Sequence, residues 1–486
     1  MKEFIVCSLF FLLLSCNNND ALFVTVSSNK TQIKFQNTLT STTKLNILNY
    51  LYYYNGAGVA AADFNNDGLV DLYFTGNQTD DKLYLNSGGL QFEDITTKAN
   101  INNALPWTTG VTTVDINNDG FLDIYICKIG AHNTIKGKNL LYVNQGLDNN
   151  GVPRFKEDAS TYGLDIASYA TQATFFDYDK DGDLDLFLMN HSLYPNSNYG
   201  KGALRLEVDQ KSGDKLLENK QGKFIDVSSE AGIFQGKIGY GLGVSIGDVT
   251  NDGYPDIYVG NDFFENDYLY LNQKNKTFKE VISNDKTTLG HTSHFSMGNA
   301  ISDLNNDTHM DIISLDMLPE NLKTYKTSGL EFPYQTYQYY LKNGYAPQFM
   351  QNTLHYNNGN GTFSETAYLS GIAATEWSWS PIIGDYDNDG FKDLYITNGI
   401  LGATNDMDYI NFISNEAIQK QLATEKSQRN LELSKQIPQK KVKNYFYKNN
   451  KDKTFSDVTS TWVSHDNSYS NGGTSVDLDN DGDLDL

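Results

Sequence analysis

Short apolar runs bounded by polar turn residues recur along the whole chain. Five of them read Leu72-Tyr-Phe74, Ile124-Tyr-Ile126, Leu186-Phe-Leu188, Ile257-Tyr-Val259 and Leu394-Tyr-Ile396. Runs this short and this rich in β-branched and aromatic residues predict strands. Before each stands an acidic nine-residue loop, and seven such loops begin at Asp63, Asp115, Asp177, Asp248, Asp303, Asp385 and Asp477. A second apolar pattern alternates with the loops: Leu83-Tyr-Leu-Asn86 with Phe92, Leu141-Tyr-Val-Asn144 with Phe155, and Leu269-Tyr-Leu-Asn272 with Phe278. It returns at Leu354 to Asn357 with Phe363 and at Tyr445 to Asn449 with Phe455; a degenerate copy runs Leu216 to Asn219 with Phe224. Each unit then has four strands, two around the loop and two from the second pattern. Four antiparallel strands repeated radially predict an all-β fold, a seven-bladed β-propeller over residues 32–486. Only Leu486 follows the seventh loop, so the last blade is expected to be incomplete.

The loops follow D-x-[DN]-x-[DN]-G-x-x-D. Side-chain oxygens at positions 1, 3, 5 and 9, with the carbonyl at position 7, suit a hard cation that takes six to eight oxygens, namely Ca²⁺. The expected ligands are Asp63, Asn65, Asp67, Leu69 and Asp71; Asp115, Asn117, Asp119, Phe121 and Asp123; and Asp177, Asp179, Asp181, Asp183 and Asp185. The fourth and fifth sets are Asp248, Thr250, Asp252, Tyr254, Asp256 and Asp303, Asn305, Asp307, His309, Asp311. The last two are Asp385, Asp387, Asp389, Phe391, Asp393 and Asp477, Asp479, Asp481, Asp483, Asp485. An EF-hand would need a bidentate Glu at position 12; Phe74, Ile126, Leu188, Val259, Ser314 and Ile396 stand there instead. Loop four has the weaker ligand Thr250, and loop five has Thr308 in place of the turn glycine. Loop five is therefore expected to bind most weakly or in a distorted geometry.

These loops and the strands after them resemble the FG-GAP or VCBS repeats of bacterial surface proteins, whose blades resemble those of the integrin α-subunit head. The resemblance runs from about Asn49 to the last residue. The opening Leu45 to Val59 looks like the start of large lipid-anchored members from Bacteroidota. Such members often carry a C-terminal ASPIC/UnbV region, and none falls within this sequence.

The first residues add a targeting signal. Lys2 precedes an apolar stretch, Phe4 to Leu14, too short to span a bilayer. It ends in Leu13-Leu-Ser-Cys16, which resembles a bacterial lipobox. The resemblance implies a signal peptide over 1–15, lipid on Cys16, a flexible tether over 16–31, and anchoring to the bacterial outer membrane. Acyl chains would be the membrane contact. Cys7 would leave with the signal, so Cys127 stands alone and is read as a small buried hydrophobe.

Charge narrows the partners. The formal net charge is −23, and the loops hold 26 of the 60 acidic residues. Seven divalent ions would offset more than half of that charge. No basic face opposes phosphate repulsion, which argues against nucleic acid.

Three insertions interrupt the blade rhythm: 191–215, the tyrosine-rich 316–350, and the helix-like 404–443. Propeller function usually sits on such loops. Their tyrosines predict either a glycan or protein contact surface or packing on the blade edges. No protease, hydrolase or nucleotide-binding motif is present; His291, His294, Trp377 and Trp379 form the tight clusters. The expected function is non-catalytic: a calcium-stabilised surface lipoprotein binding glycan or protein. The alternative is a carbohydrate-active enzyme such as a polysaccharide lyase, using His291 or His294 with an arginine. The unfinished seventh blade predicts that the sequence is a fragment of a longer lipoprotein.

Overall fold

The computed structural model describes residues 21–102, 107–130, 132, 134–194, 201–283, 285, 287–329, 333–422, 425–464 and 467–486. The expected signal peptide and lipidated Cys16 lie outside them. Six four-stranded antiparallel sheets follow one another, each with its strands in sequence order. Blade one runs Val59–Ala62, Asp71–Phe74, Lys82–Asn86, Phe92–Asp94. Blade two runs Thr108–Val114, Asp123–Lys128, Leu140–Leu147, Pro153–Glu157, and blade three Ala170–Phe176, Asp185–Asn190, Lys215–Asn219, Phe224–Asp226. Blade four runs Gly241–Gly247, Asp256–Asn261, Tyr268–Asn272, Phe278–Glu280. Blade five runs Asn299–Ser302, Asp311–Ser314, Thr353–Asn357, Phe363–Glu365, and blade six Ser378–Gly384, Asp393–Asn398, Tyr445–Asn449, Phe455–Asp457.

The core lies between blades. Buried clusters join blades one and two through Tyr73, Leu83, Ile124 and Tyr142, and blades two and three through Tyr125, Leu141, Leu186 and Phe224. The series continues to Trp379, Leu394 and Tyr445 between blades five and six. First strands approach closely round the axis. A Cβ on Gly298 would lie 2.2 Å from the Trp379 carbonyl oxygen, which only glycine tolerates.

Seven blades, the last incomplete, were expected; six are formed among the described residues. The seventh loop is present, but its flanking residues make one bridge, Val476 with Asp485, and no sheet. A single bridged pair buries no apolar face and cannot propagate a ladder. The loop nevertheless occupies a seventh sector. Asn86 Nδ2 of blade one donates to the Leu478 carbonyl at 2.9 Å, and Asn388 Nδ2 of loop six donates to Asp483 at 2.6 Å.

The segment before blade one spans the same sector. Phe23 stacks on Phe446 of blade six at 4.7 Å and bridges Val463. Phe35 stacks on Phe74 of blade one at 5.2 Å. Residues 32–37, read as a possible closing strand, pack here without joining a sheet. The described part of the expected tether, 21–31, thus begins with a residue docked on the ring.

Candidate functional site

Connectivity divides the ring into two faces. The acidic loops join first to second strands, so all lie at one end. The long insertions join second to third strands in blades three, five and six, so antiparallel geometry sends them to the other end.

All seven loops share one backbone path. Position 4 has positive φ in each: Asn66, Asn118, Lys180, Asn251, Asn306, Asn388 and Asn480, at 54 to 62°. Position 6 is glycine at 86 to 95°, or Thr308 at 72°. Thr308 does not change the path of loop five: its N–H donates to Asp303 at 2.9 Å, as Gly68 N–H does to Asp63 at 2.8 Å. The backbone has taken the strained conformation rather than changed path. In loop four the Thr250 hydroxyl stands 3.3 Å from Asp248 and 3.4 Å from Asp256, inside the loop as expected for position 3.

Position 9 is buried from blade one through blade six. One oxygen of Asp71 accepts from Phe64 N–H at 3.0 Å and the other from Asn86 N–H at 2.8 Å. The same pair of bonds recurs on Asp123, Asp185, Asp256, Asp311 and Asp393. The asparagine of the second sequence pattern therefore docks its backbone on the acidic loop. Its side chain reaches the preceding loop: Asn144 to the Phe64 carbonyl, Asn272 to Tyr178, Asn357 to Val249 and Asn449 to Leu304. Position 4 links loops in the same way. Asn66 donates to Gly120, Asn306 to Gly390 and Asn480 to Gly68.

Burial pushes the position 9 carboxyls up, with help from loop neighbours: Asp71 and Asp185 to about 7, and Asp123, Asp256, Asp311 and Asp393 to about 6. Three loops bring carboxylate oxygens within 4.8 Å of one another: Asp177, Asp179, Asp185; Asp385, Asp387, Asp393; and Asp477, Asp479, Asp485. Buried oxygens of Asp177, Asp183 and Asp387 lack hydrogen-bond partners among the described residues. An oxygen-only donor set with unpartnered buried carboxylate oxygens fits a hard divalent cation. The first, third, fifth and ninth side chains and the seventh carbonyl would hold it.

The opposite face is closed by aromatics. Residues 45–54 lie over the axis, with Tyr50, Tyr52 and Tyr53 buried against Trp107 of blade two and Tyr240 beside blade four. Tyr340, Tyr345 and Tyr409 from the insertions join this cluster, so for them the packing reading holds. Tyr334, Tyr339 and Phe349 remain 70%, 49% and 45% exposed. Phe349 stacks on Tyr337 at 5.6 Å and meets His291 edge-on at 4.9 Å. Behind them, Gln351 Nε2 donates to Glu365 at 3.3 Å, and Glu365 stands 3.6 Å from His291. The expected helical insertion forms Met407–Ser414, Glu416–Gln421 and Lys426–Ser434.

The two named histidines separate. His294 is buried and holds Gln348 at 2.9 Å, and burial lowers it to about 4. His291 is partly exposed on the rim. Trp377 and Trp379 are core residues, and Trp379 donates to the Gly399 carbonyl at 2.7 Å. Cys127 is buried, and burial pushes its thiol up, which suppresses the thiolate. Arg205 pairs with buried Glu265 at 2.7 Å.

One repeating residue escaped the sequence reading. Asp81, Asn139, Asp214, Asp267, Asn352 and Asn444 each accept from the backbone at the end of the preceding second strand. Each lies two residues before the leucine that opens the second pattern, or in blade six two before Phe446. Extending that pattern by two positions would have found them.

The FG-GAP-like repeat family matches residues 63–126, 248–314, 345–396 and 439–486. The chain thus carries FG-GAP-like repeats arranged as a propeller. It is 31% identical over 137 residues to cartilage acidic protein 1 of Homo sapiens, covering 28% of this chain and 20% of that protein. Against the Mus musculus protein it is 27% identical over 208 residues, covering 42% and 30%. The match spans less than a third of either relative. Similar solved structures include an Agrocybe aegerita lectin recognising non-reducing terminal N-acetylglucosamine, at 17% identity, 63% of this chain, 64% of that chain and a TM-score of 0.32. The V. cholerae biofilm matrix protein Bap1 is similar at 12% identity, 63% and 38% coverage and a TM-score of 0.30. A Bacillus licheniformis rhamnogalacturonan lyase is similar at 9%, 68% and 64% coverage, and 0.29.

Proposed function

We propose that this ring of FG-GAP-like repeats is a non-catalytic recognition module, calcium-stabilised on one face and ligand-binding on the other. The observation that carries the reading is the division of labour between the faces. Carboxylates gather on the loop face, while on the other the insertions leave Tyr334, Tyr339 and Phe349 exposed, with Phe349 against His291 and its neighbours Gln351 and Glu365. Exposed rings next to anchored polar groups suit the apolar face and hydroxyls of a sugar, or a protein side chain. Bound Ca²⁺ would cancel carboxylate repulsion in the loops and hold the turns at the blade ends; its role is structural.

A lyase reading has less support. It needs a base beside a cation that neutralises a uronate. Buried His294 is held by Gln348, Arg205 is paired with Glu265, and Glu365 beside His291 would repel an acidic sugar.

Glycan-array binding together with turnover assays on uronate polymers tests the choice. Binding without turnover, reduced at least tenfold in a Phe349→Ala, Tyr334→Ala variant, is expected. Turnover of a uronate polymer would refute the reading.

We also propose attachment to the bacterial outer membrane through lipid on Cys16. No helix among the described residues is long and apolar enough to cross a membrane. Cys16→Ala is expected to release the protein from the membrane fraction, and retention there would refute the anchor.

A further inference from the structure

Position 3 of the loops varies, and the variation has a partner elsewhere. Loops one, two and five carry Asn65, Asn117 and Asn305, and loop four carries Thr250. Loops three, six and seven carry the acids Asp179, Asp387 and Asp479. Asp179 and Asp387 each have an ammonium group on them, and among the described residues no salt bridge reaches Asp479. Lys276, from the hairpin turn of blade four, lies 2.5 Å from Asp179 and 2.7 Å from Glu218. Lys448, from the third strand of blade six, contacts Asp387 and lies 3.1 Å from Asp389. No salt bridge reaches position 3 of the other loops among the described residues. The looser contact of Lys274 with Asp252 in loop four, at 3.3 Å, is to position 5.

In loop six the lysine sits behind the carboxylate rather than in the cation's place. In loop six Lys448 touches Asp387 Oδ2, whereas Asp387 Oδ1 is buried and unpartnered. Asp387 also belongs to the group whose oxygens converge within 4.8 Å, with Asp385 and Asp393. The Asp179 side chain is only 1% exposed, so its charge has little water to stabilise it without Lys276.

We propose that Lys276 and Lys448 are built-in counter-cations of loops three and six, dividing the seven loops into two affinity classes. This rests on the calcium reading above. Without a divalent ion, each lysine offsets the extra carboxylate and keeps its loop folded. With the ion bound, the same ammonium repels it across one carboxylate. Loops three and six should therefore stay ordered when stripped and bind Ca²⁺ more weakly than their carboxylate number suggests. Removing the lysine destabilises the stripped loop more than the loaded one, which by linkage tightens binding.

The test is calorimetric Ca²⁺ titration of the chelator-stripped full chain, with thermal melts in excess chelator. Wild type is compared with Lys276→Gln, Lys448→Gln, the double variant and the surface control Lys211→Gln. Both lysines are partly exposed, at 53% and 34%, so the variants should fold. Each single variant should tighten one site by about tenfold, the double variant two sites, and each should melt lower than wild type in chelator. Lys211→Gln should do neither. Wild-type binding with unchanged or weaker affinity in the variants would overturn the counter-cation role and leave the calcium reading standing. No Ca²⁺ binding by wild type would overturn both.

Discussion

At the scale of single residues, burial has separated charge from water in opposite senses. Asp262 is pushed up to about 8 by burial, with Asp316 nearby, and burial likewise raises Asp214 and Asp267 to about 7. Their folded values exceed the unfolded ones, so the stability they contribute is full below about pH 4 and is lost as pH rises from there through about 7 to 8. Buried His191 is lowered to about 3, and His294 and His355 to about 4. Their contribution is full above about pH 6.5 and is lost as pH falls below it. With calcium saturating, the two groups offset each other between about pH 4 and 6.5, and thermal stability should fall as pH rises above about 6.5, where the histidines no longer compensate. Asp262→Asn should recover about 1–2 kcal/mol at about pH 9 and little at pH 5. Parallel melting curves for the two proteins across that range would contradict the assignment. Thr308 holds a left-handed conformation that β-branched residues disfavour. Thr308→Gly should raise stability by about 1 kcal/mol, read from a denaturant midpoint. An unchanged or lower midpoint would mean that the strain is relieved elsewhere.

At the scale of elements, a blade is held to its neighbour by a repeated polar device as well as by apolar packing. The asparagine of the second pattern gives its N–H to one acidic loop and its side chain to the preceding one. Asn449→Ala removes both Nδ2 bonds, to Leu304 and Lys392, and leaves those carbonyls without their donor. The expected cost is about 1–3 kcal/mol, with faster hydrogen exchange in blades five and six. Exchange rising uniformly round the ring would argue against a local staple.

At the scale of the whole molecule, stability depends on charge compensation and on closure. Stripping divalent ions should lower the melting temperature, and added Ca²⁺ should raise it in a concentration-dependent way; identical melts in chelator and in calcium would eliminate the structural role. Closure depends on Phe23 docked on blade six and Phe35 on blade one, either side of a sector that holds a loop but no sheet. A Phe23→Ala, Phe35→Ala variant should increase exchange in the outer strands of blades one and six and around residues 476–485. Protection unchanged there would mean that loop seven closes the ring alone.

Strand order, the four strands of a blade and the acidic loops between them were legible because they are local. A loop of nine residues needs its oxygens and its turn at fixed spacing, and a half-buried strand needs its apolar alternation, whatever the rest of the chain does. Tertiary structure alone decided the rest. Among the described residues six blades form rather than seven because a lone bridge at Val476 has no neighbouring strand to bury against. The loop there still takes its place through Asn86, 392 residues away from Leu478. The fate of the tyrosines was equally non-local: Tyr340 and Tyr345 are buried against Phe264 beside blade four, and Tyr334 is left exposed. Lysines 276 and 448 read as ordinary turn and strand residues until folding sets them on Asp179 and Asp387, two of the three acids at position 3. Spacing along the chain specifies what one loop or strand can do; partners brought together across hundreds of residues exist only once the ring has formed.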